Sequence, residues 1–112
     1  MPDNTNATRF EILVGLHVND QDSYDSYRAG MTPILKDHGG HFRYDYTIDT
    51  MLQGNADDQH NRVFVLSFPD ESTMKRFFDH AEYKAVRAEH FEPAVISGGI
   101  LAAYQCEVPN HS

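Results

Sequence analysis

The chain has 112 residues, enough for one compact unit with a modest core. Its 17 acidic residues against 9 basic ones give a formal net charge of −8, which argues against nucleic acid and anionic membrane surfaces, since both need basic patches. No apolar run approaches the roughly 20 residues of a membrane span, and the lone Cys106 cannot close an internal disulfide, which suits a reducing cytoplasm.

Residues 1–8 carry neither the basic start nor the apolar stretch of a signal peptide and are expected to form a short disordered lead. From Arg9 to Val18 the chain alternates. Phe10, Ile12, Val14, Leu16 and Val18 share one face, and Glu11, Leu13, Gly15 and His17 share the other, which predicts a strand. Asn19 or Asp20 can then cap a helix whose apolar face carries Tyr24, Tyr27, Met31, Ile34, Leu35 and His38. Gly30 and the Thr32-Pro33 pair predict a kink or restart in it, and Gly39-Gly40 predict its end. A second strand-like stretch runs from His41 to Gln53, followed by a polar loop from Gly54 to Asn61. The third strand ends at Phe68. Its run Val63-Phe64-Val65-Leu66 is apolar on both faces, as in a strand covered on both sides. After Pro69, Asp70 or Ser72 opens a helix with Met74, Phe77 and Phe78 inward. The capping-box spacing of Asp79 and Glu82 predicts a second helical piece from His80, with Tyr83, Val86, Arg87 and His90 on one side. Gly99 to Val108 reads as the last strand, and residues 109–112 as a frayed tail.

The resulting order is β-α-β-β-α-β. It predicts an α+β, ferredoxin-like sandwich over residues 9–108: a four-stranded antiparallel sheet with two helices on one face. Two helices cover one face only. The apolar run of the third strand therefore predicts a homodimer packed sheet against sheet. The Tyr24/Tyr27 pair, Gly39-Gly40 before Phe42, Arg62, Phe68-Pro69, Tyr83 and Arg87 together resemble the domain-of-unknown-function 1330 family of small bacterial proteins, in the dimeric α/β-barrel superfamily. His80 stands where that family commonly has serine, and Tyr44 to Tyr46 where it has small residues. The resemblance covers roughly residues 9–108 and implies the fold and the dimer, but no established reaction.

Two sets of residues carry candidate chemistry. His17 lies opposite the apolar stripe of its strand, and Arg43, Asp45, Gln105 and Glu107 are read as facing the same way. Polar groups facing an apolar cavity orient a ligand; a plainer reading pairs them with one another at a dimer rim. Tyr83 and Arg87 are four apart on a helix, with His80 one turn before, and form a corner that can clamp a carboxylate. The plainer reading pairs Arg87 with Asp79, Glu82 or a strand carboxylate, where it simply holds the helix. Arg62, likewise, is read as neutralising Asp57 or Asp58.

Ligand-binding candidates are thus Arg43, Tyr83 and Arg87, and candidates for a catalytic base are His17 and His80. His38 and His41 flank the double glycine but fall short of the ligand set of a zinc site, so no metal is expected, and no cofactor. Cys106, between Tyr104 and Val108 on its face, is expected to be an inert thiol. Two functions remain open. One is a binding module for a small apolar or carboxylated metabolite in a cavity beside the sheet. The other is a cofactor-independent enzyme, performing proton transfer or monooxygenase-like oxidation on a small aromatic or carboxylic metabolite.

Overall fold

The computed structural model describes residues 6–55 and 59–109. Four strands, β1 (Asn6–Val18), β2 (His41–Thr47), β3 (Arg62–Phe68) and β4 (Val95–Pro109), form one antiparallel sheet in the order β2-β3-β1-β4. Helices α1 (Gln21–Asp37), α2 (Glu71–Asp79) and α3 (Ala81–Val86) follow β1 and β3, and a π-helical turn, Arg87–Phe91, leads into β4. This is the expected antiparallel α+β arrangement, with the second helical stretch in two pieces. Residues 6–8, expected within the lead, pair with β4 as part of β1. Residues 1–5 and 110–112 lie outside the described residues.

The apolar stripes assemble as their periods dictate. Ile12, Val14 and Leu16 of β1 and Phe64, Leu66 and Phe68 of β3 point to the helices. They meet Tyr24, Tyr27, Met31, Ile34 and Leu35 of α1, Phe77 of α2 and Tyr83 of α3 in one buried core. The other sheet face carries Glu11, Leu13, His17, Val63, Val65 and Ser67, and none of the helices among the described residues covers it.

Helix α1 departs from expectation, running unbroken through Gly30 and Pro33. The Thr32 hydroxyl donates to the Arg28 carbonyl at 2.6 Å, and the buried Met31, Ile34 and Leu35 around the proline hold the turn against the core. Packing overrides the local penalty of proline. Asp20 is the N-cap, accepting from Ser23 N at 3.1 Å. The helix ends at His38 and Gly39, whose φ of 71° favours glycine. Strand β2 stops at Thr47, well before Gln53, where Ile48 N donates to the Asn61 carbonyl at 2.9 Å and closes the base of the hairpin loop.

Bulges correct the facing of several side chains. One between Phe42 and Tyr44 breaks the alternation of β2. Arg43 therefore reaches the helix-free face with His17, whereas Asp45 turns to the helix side and accepts from Arg28 and Arg62. Another, opposite Leu13 and Val14, shifts β4. Tyr104 pairs with Glu11 and Cys106 with Arg9, on the face of His17, while Gln105 and Glu107 pair with Phe10 and Thr8 on the opposite face. At the open end of β4, Gly98 sits at φ 120°, and a Cβ there would run into the Gly15 carbonyl.

Candidate functional site

A cavity of about 330 Å³ lies between the sheet and the helical layer. Its floor is Val14 and Leu16 of β1 with Phe64 and Leu66 of β3, because these residues alternate onto the helix side. Its roof is Tyr27 of α1, Tyr83 of α3 and Phe91 of the π turn, and Gly99 and Ile100 of β4 complete the rim. Apolar walls with a few converging polar groups are the usual make-up of a small-molecule site. Here the polar groups are the hydroxyls of Tyr27 and Tyr83, 2.9 Å apart and buried, and the guanidinium of Arg87. Burial pushes the phenols of Tyr27 and Tyr83 above their ordinary pKa, only partly offset at Tyr83 by Tyr27 and Arg87. Both therefore stay protonated at neutral pH.

Arg87 stands at the mouth, half exposed, and its Nη1 donates to Glu92 Oε2 at 2.9 Å. A second opening of about 400 Å³, lined by Phe78, Tyr83, Lys84, Arg87 and Glu92, adjoins it on the outer side. The expected partners Asp79 and Glu82 do not hold Arg87; Asp79 pairs with Lys84 instead. The reason is local geometry. The π turn closes with Glu92 N donating to the Arg87 carbonyl, so residues five apart come onto one side.

The other candidate residues lie elsewhere. Arg43 is on the helix-free face, where its Nη1 donates to both carboxylate oxygens of Glu11 at 3.0 and 3.2 Å. Glu11 is 2 % exposed and also accepts from the Tyr104 hydroxyl at 3.2 Å. Burial alone would raise the Glu11 pKa, but hydrogen bonds from Arg43, Ser67 and Cys106 outweigh it and hold the carboxyl below its usual range. Cys106 is half-buried beside this carboxylate, and burial pushes its thiol up. His17 also belongs to this face and does not line the cavity. His80 caps α3, its Nδ1 accepting from Glu82 N at 3.2 Å. That ring nitrogen is committed to the cap, a role the sequence assigned to Asp79. His80→Ala is expected to destabilise the protein by about 1 kcal/mol, read from urea unfolding. Arg62 is bidentate to Asp45, at 2.9 Å for each bond; Asp57 and Asp58 lie outside the described residues.

Sequence reasoning brought Tyr83 and Arg87 to the site but missed Tyr27 as a site residue, along with Phe91 and Glu92. Only the aromatic character of Tyr27 on the inner face of α1 signalled it.

Sheet order, helix placement and cavity together define an α+β protein of the ferredoxin-like kind. The chain belongs to the family of the domain of unknown function DUF1330, whose model matches residues 12–101. Among solved structures it resembles the methylated RPA0582 protein of Rhodopseudomonas palustris, with a TM-score of 0.73 and 16% identity over 93% of this chain and 83% of that one. It also resembles a dabb family protein with a ferredoxin-like fold from Mesorhizobium loti (TM-score 0.58, 15% identity, 88% of this chain and 95% of that one). A third is a dimeric ferredoxin-like protein of unknown function from Thermobifida fusca (0.54, 11%, 91% and 92%). At these identities the likeness is one of fold. No curated protein sequence matches the chain.

Proposed function

We infer that this protein is a homodimeric binding module that holds a small apolar, carboxylated metabolite in the cavity between sheet and helices. The observation that carries this reading is the cavity itself: an apolar chamber of about 330 Å³ with a guanidinium at its mouth. Apolar walls supply affinity through desolvation, and Arg87 supplies a bidentate partner for a carboxylate. The Arg87–Glu92 pair is exposed and therefore weak, so a ligand carboxylate can displace Glu92 at small cost. Binding is favoured over turnover because, among the described residues, neither candidate base, His17 nor His80, lines the cavity.

The helix-free face supports the dimer. Tyr44, Tyr46, Leu101 and Tyr104 are exposed there around the pair of buried Glu11 and partly exposed Arg43, and a second copy of the same sheet would cover them. The structure described as dimeric from Thermobifida fusca is consistent with that assembly. Among the described residues no helix is long and apolar enough to cross a membrane. The cytoplasm fits the unpaired Cys106, and the acidic charge disfavours nucleic acid.

The test is thermal unfolding with a panel of small aromatic acids such as benzoate and cinnamate, with mass checked by light scattering. A ligand at a hundredfold excess over its Kd adds about 2.7 kcal/mol, a shift of several degrees. The expected result is a shift in wild type that Arg87→Ala abolishes, at the mass of a dimer. No shift with any acid would sink the binding reading, and a monomeric mass would sink the dimer.

A further inference from the structure

Among the described residues, the tyrosine pair of the cavity has one hydrogen more than the acceptors it meets. Tyr27 and Tyr83 are 4% and 3% exposed, both line the cavity, and their hydroxyl oxygens are 2.9 Å apart. A phenol has one hydrogen to donate, so two phenols at this distance share a single hydrogen bond. Whichever of the two donates, the other keeps its own hydrogen. Among the described residues neither hydroxyl has a further acceptor. A buried donor is costly to leave unmet, and the wall around this one is apolar: Val14, Leu16, Phe64 and Leu66. The demand is therefore for an acceptor that the cavity's occupant brings with it.

The position of that demand restricts the occupant. Tyr83 and Arg87 stand four residues apart across the junction of α3 and the π turn, so donor and guanidinium are neighbours on one side of the cavity. A ligand meeting both must carry its accepting oxygen next to its carboxylate. We propose that the Tyr27–Tyr83 pair is a donor site that selects 2-oxo acids with a small aromatic or apolar body, the keto oxygen on the tyrosine pair and the carboxylate on Arg87. This rests on the ligand-binding reading above and adds to it a second recognition point and a chemical class. A site built to hydrogen-bond an oxygen discriminates against the analogue that lacks it, because the unmet donor is left buried.

The experiment compares phenylglyoxylate with 2-phenylacrylate, in which a methylene replaces the keto oxygen at nearly the same shape. Titration calorimetry on the wild-type protein should show phenylglyoxylate binding about tenfold more tightly, as one well-placed hydrogen bond would give. In the Tyr27→Phe/Tyr83→Phe double variant the preference should fall close to unity while 2-phenylacrylate keeps its affinity. Arg87→Ala should weaken both acids alike. Should the double variant fail to fold, Tyr83→Phe serves: it removes the hydroxyl that neighbours Arg87, and it must lose the preference. Equal affinity of wild type for the two acids would overturn the tyrosine site, assign the spare hydrogen to a buried water and leave the cavity reading intact. Failure of wild type to bind either acid would overturn both.

Discussion

Arg43→Ala is expected to destabilise the folded protein by about 3 kcal/mol at neutral pH, the lower end of the range for removing one partner of a buried ion pair. Glu11 is almost completely buried at the centre of the helix-free face, whereas Arg43 is partly exposed, which places the effect at that lower end. The variant leaves a carboxylate in the sheet with the Tyr104 hydroxyl but without its cation. The pH dependence gives the sign. In wild type the Glu11 pKa is lowered on folding, because hydrogen bonds from Arg43, Ser67 and Cys106 together outweigh the opposing effect of burial. The stability this confers is present above the unfolded-state pKa of about 4.3 and is lost as pH falls through the folded value. Removing Arg43 takes away its hydrogen bond and its charge, both of which lower this pKa, and leaves burial, which raises it, less opposed. The variant therefore keeps less of the stability that wild type holds above about pH 4.3, and the deficit shrinks as the carboxyl is protonated in acid. Urea unfolding of both proteins from pH 3 to pH 8 should therefore show curves that converge in acid. A constant difference across that range would show that Arg43 acts through packing and not through charge.

Phe77→Ala is expected to cost about 3–5 kcal/mol, the usual price of removing a fully buried aromatic ring. Phe77 has no exposed surface and lies with ring centroids 5.7 Å from Phe68, 5.1 Å from Phe78 and 4.5 Å from Tyr83. It joins α2 to both the sheet and the cavity roof, so the variant should also lose the thermal response to aromatic acids as Tyr83 gains freedom. Phe78→Ala, at a partly buried position, is the control and should cost less. Equal losses from the two substitutions in urea unfolding would show that α2 is held by its whole face and not by this ring.

Strand alternation and the apolar run at Val63–Leu66 made the sheet legible, and helix caps and glycines placed the helices, because these signals are local. The facing of Asp45, Gln105 and Glu107 was not legible. A bulge inserts one residue and reverses every later side chain, and neither bulge leaves a compositional mark in Phe42-Arg43-Tyr44 or Ile100-Leu101-Ala102. Pro33 was a true local signal overruled by the burial of Met31, Ile34 and Leu35. At the candidate site, the spacing of Tyr83 and Arg87 was visible because one helical stretch carries both. The hydroxyl contact of Tyr27 with Tyr83 spans 56 positions and exists only once α1 and α3 share a sheet. Glu92 escaped notice because helical spacing of three or four directs attention to Asp79 and Glu82, whereas a π turn brings together residues five apart.

The pairing of Asn6 with Pro109 places the two ends of the described chain side by side at one corner of the sheet. At about 3.3 Å per residue, that corner is on the order of 30 Å along β4 from Gly99 at the cavity rim. A fluorophore attached at that corner thus stands remote from Arg87. Labelled protein can report on ligand entry without the label standing in its way.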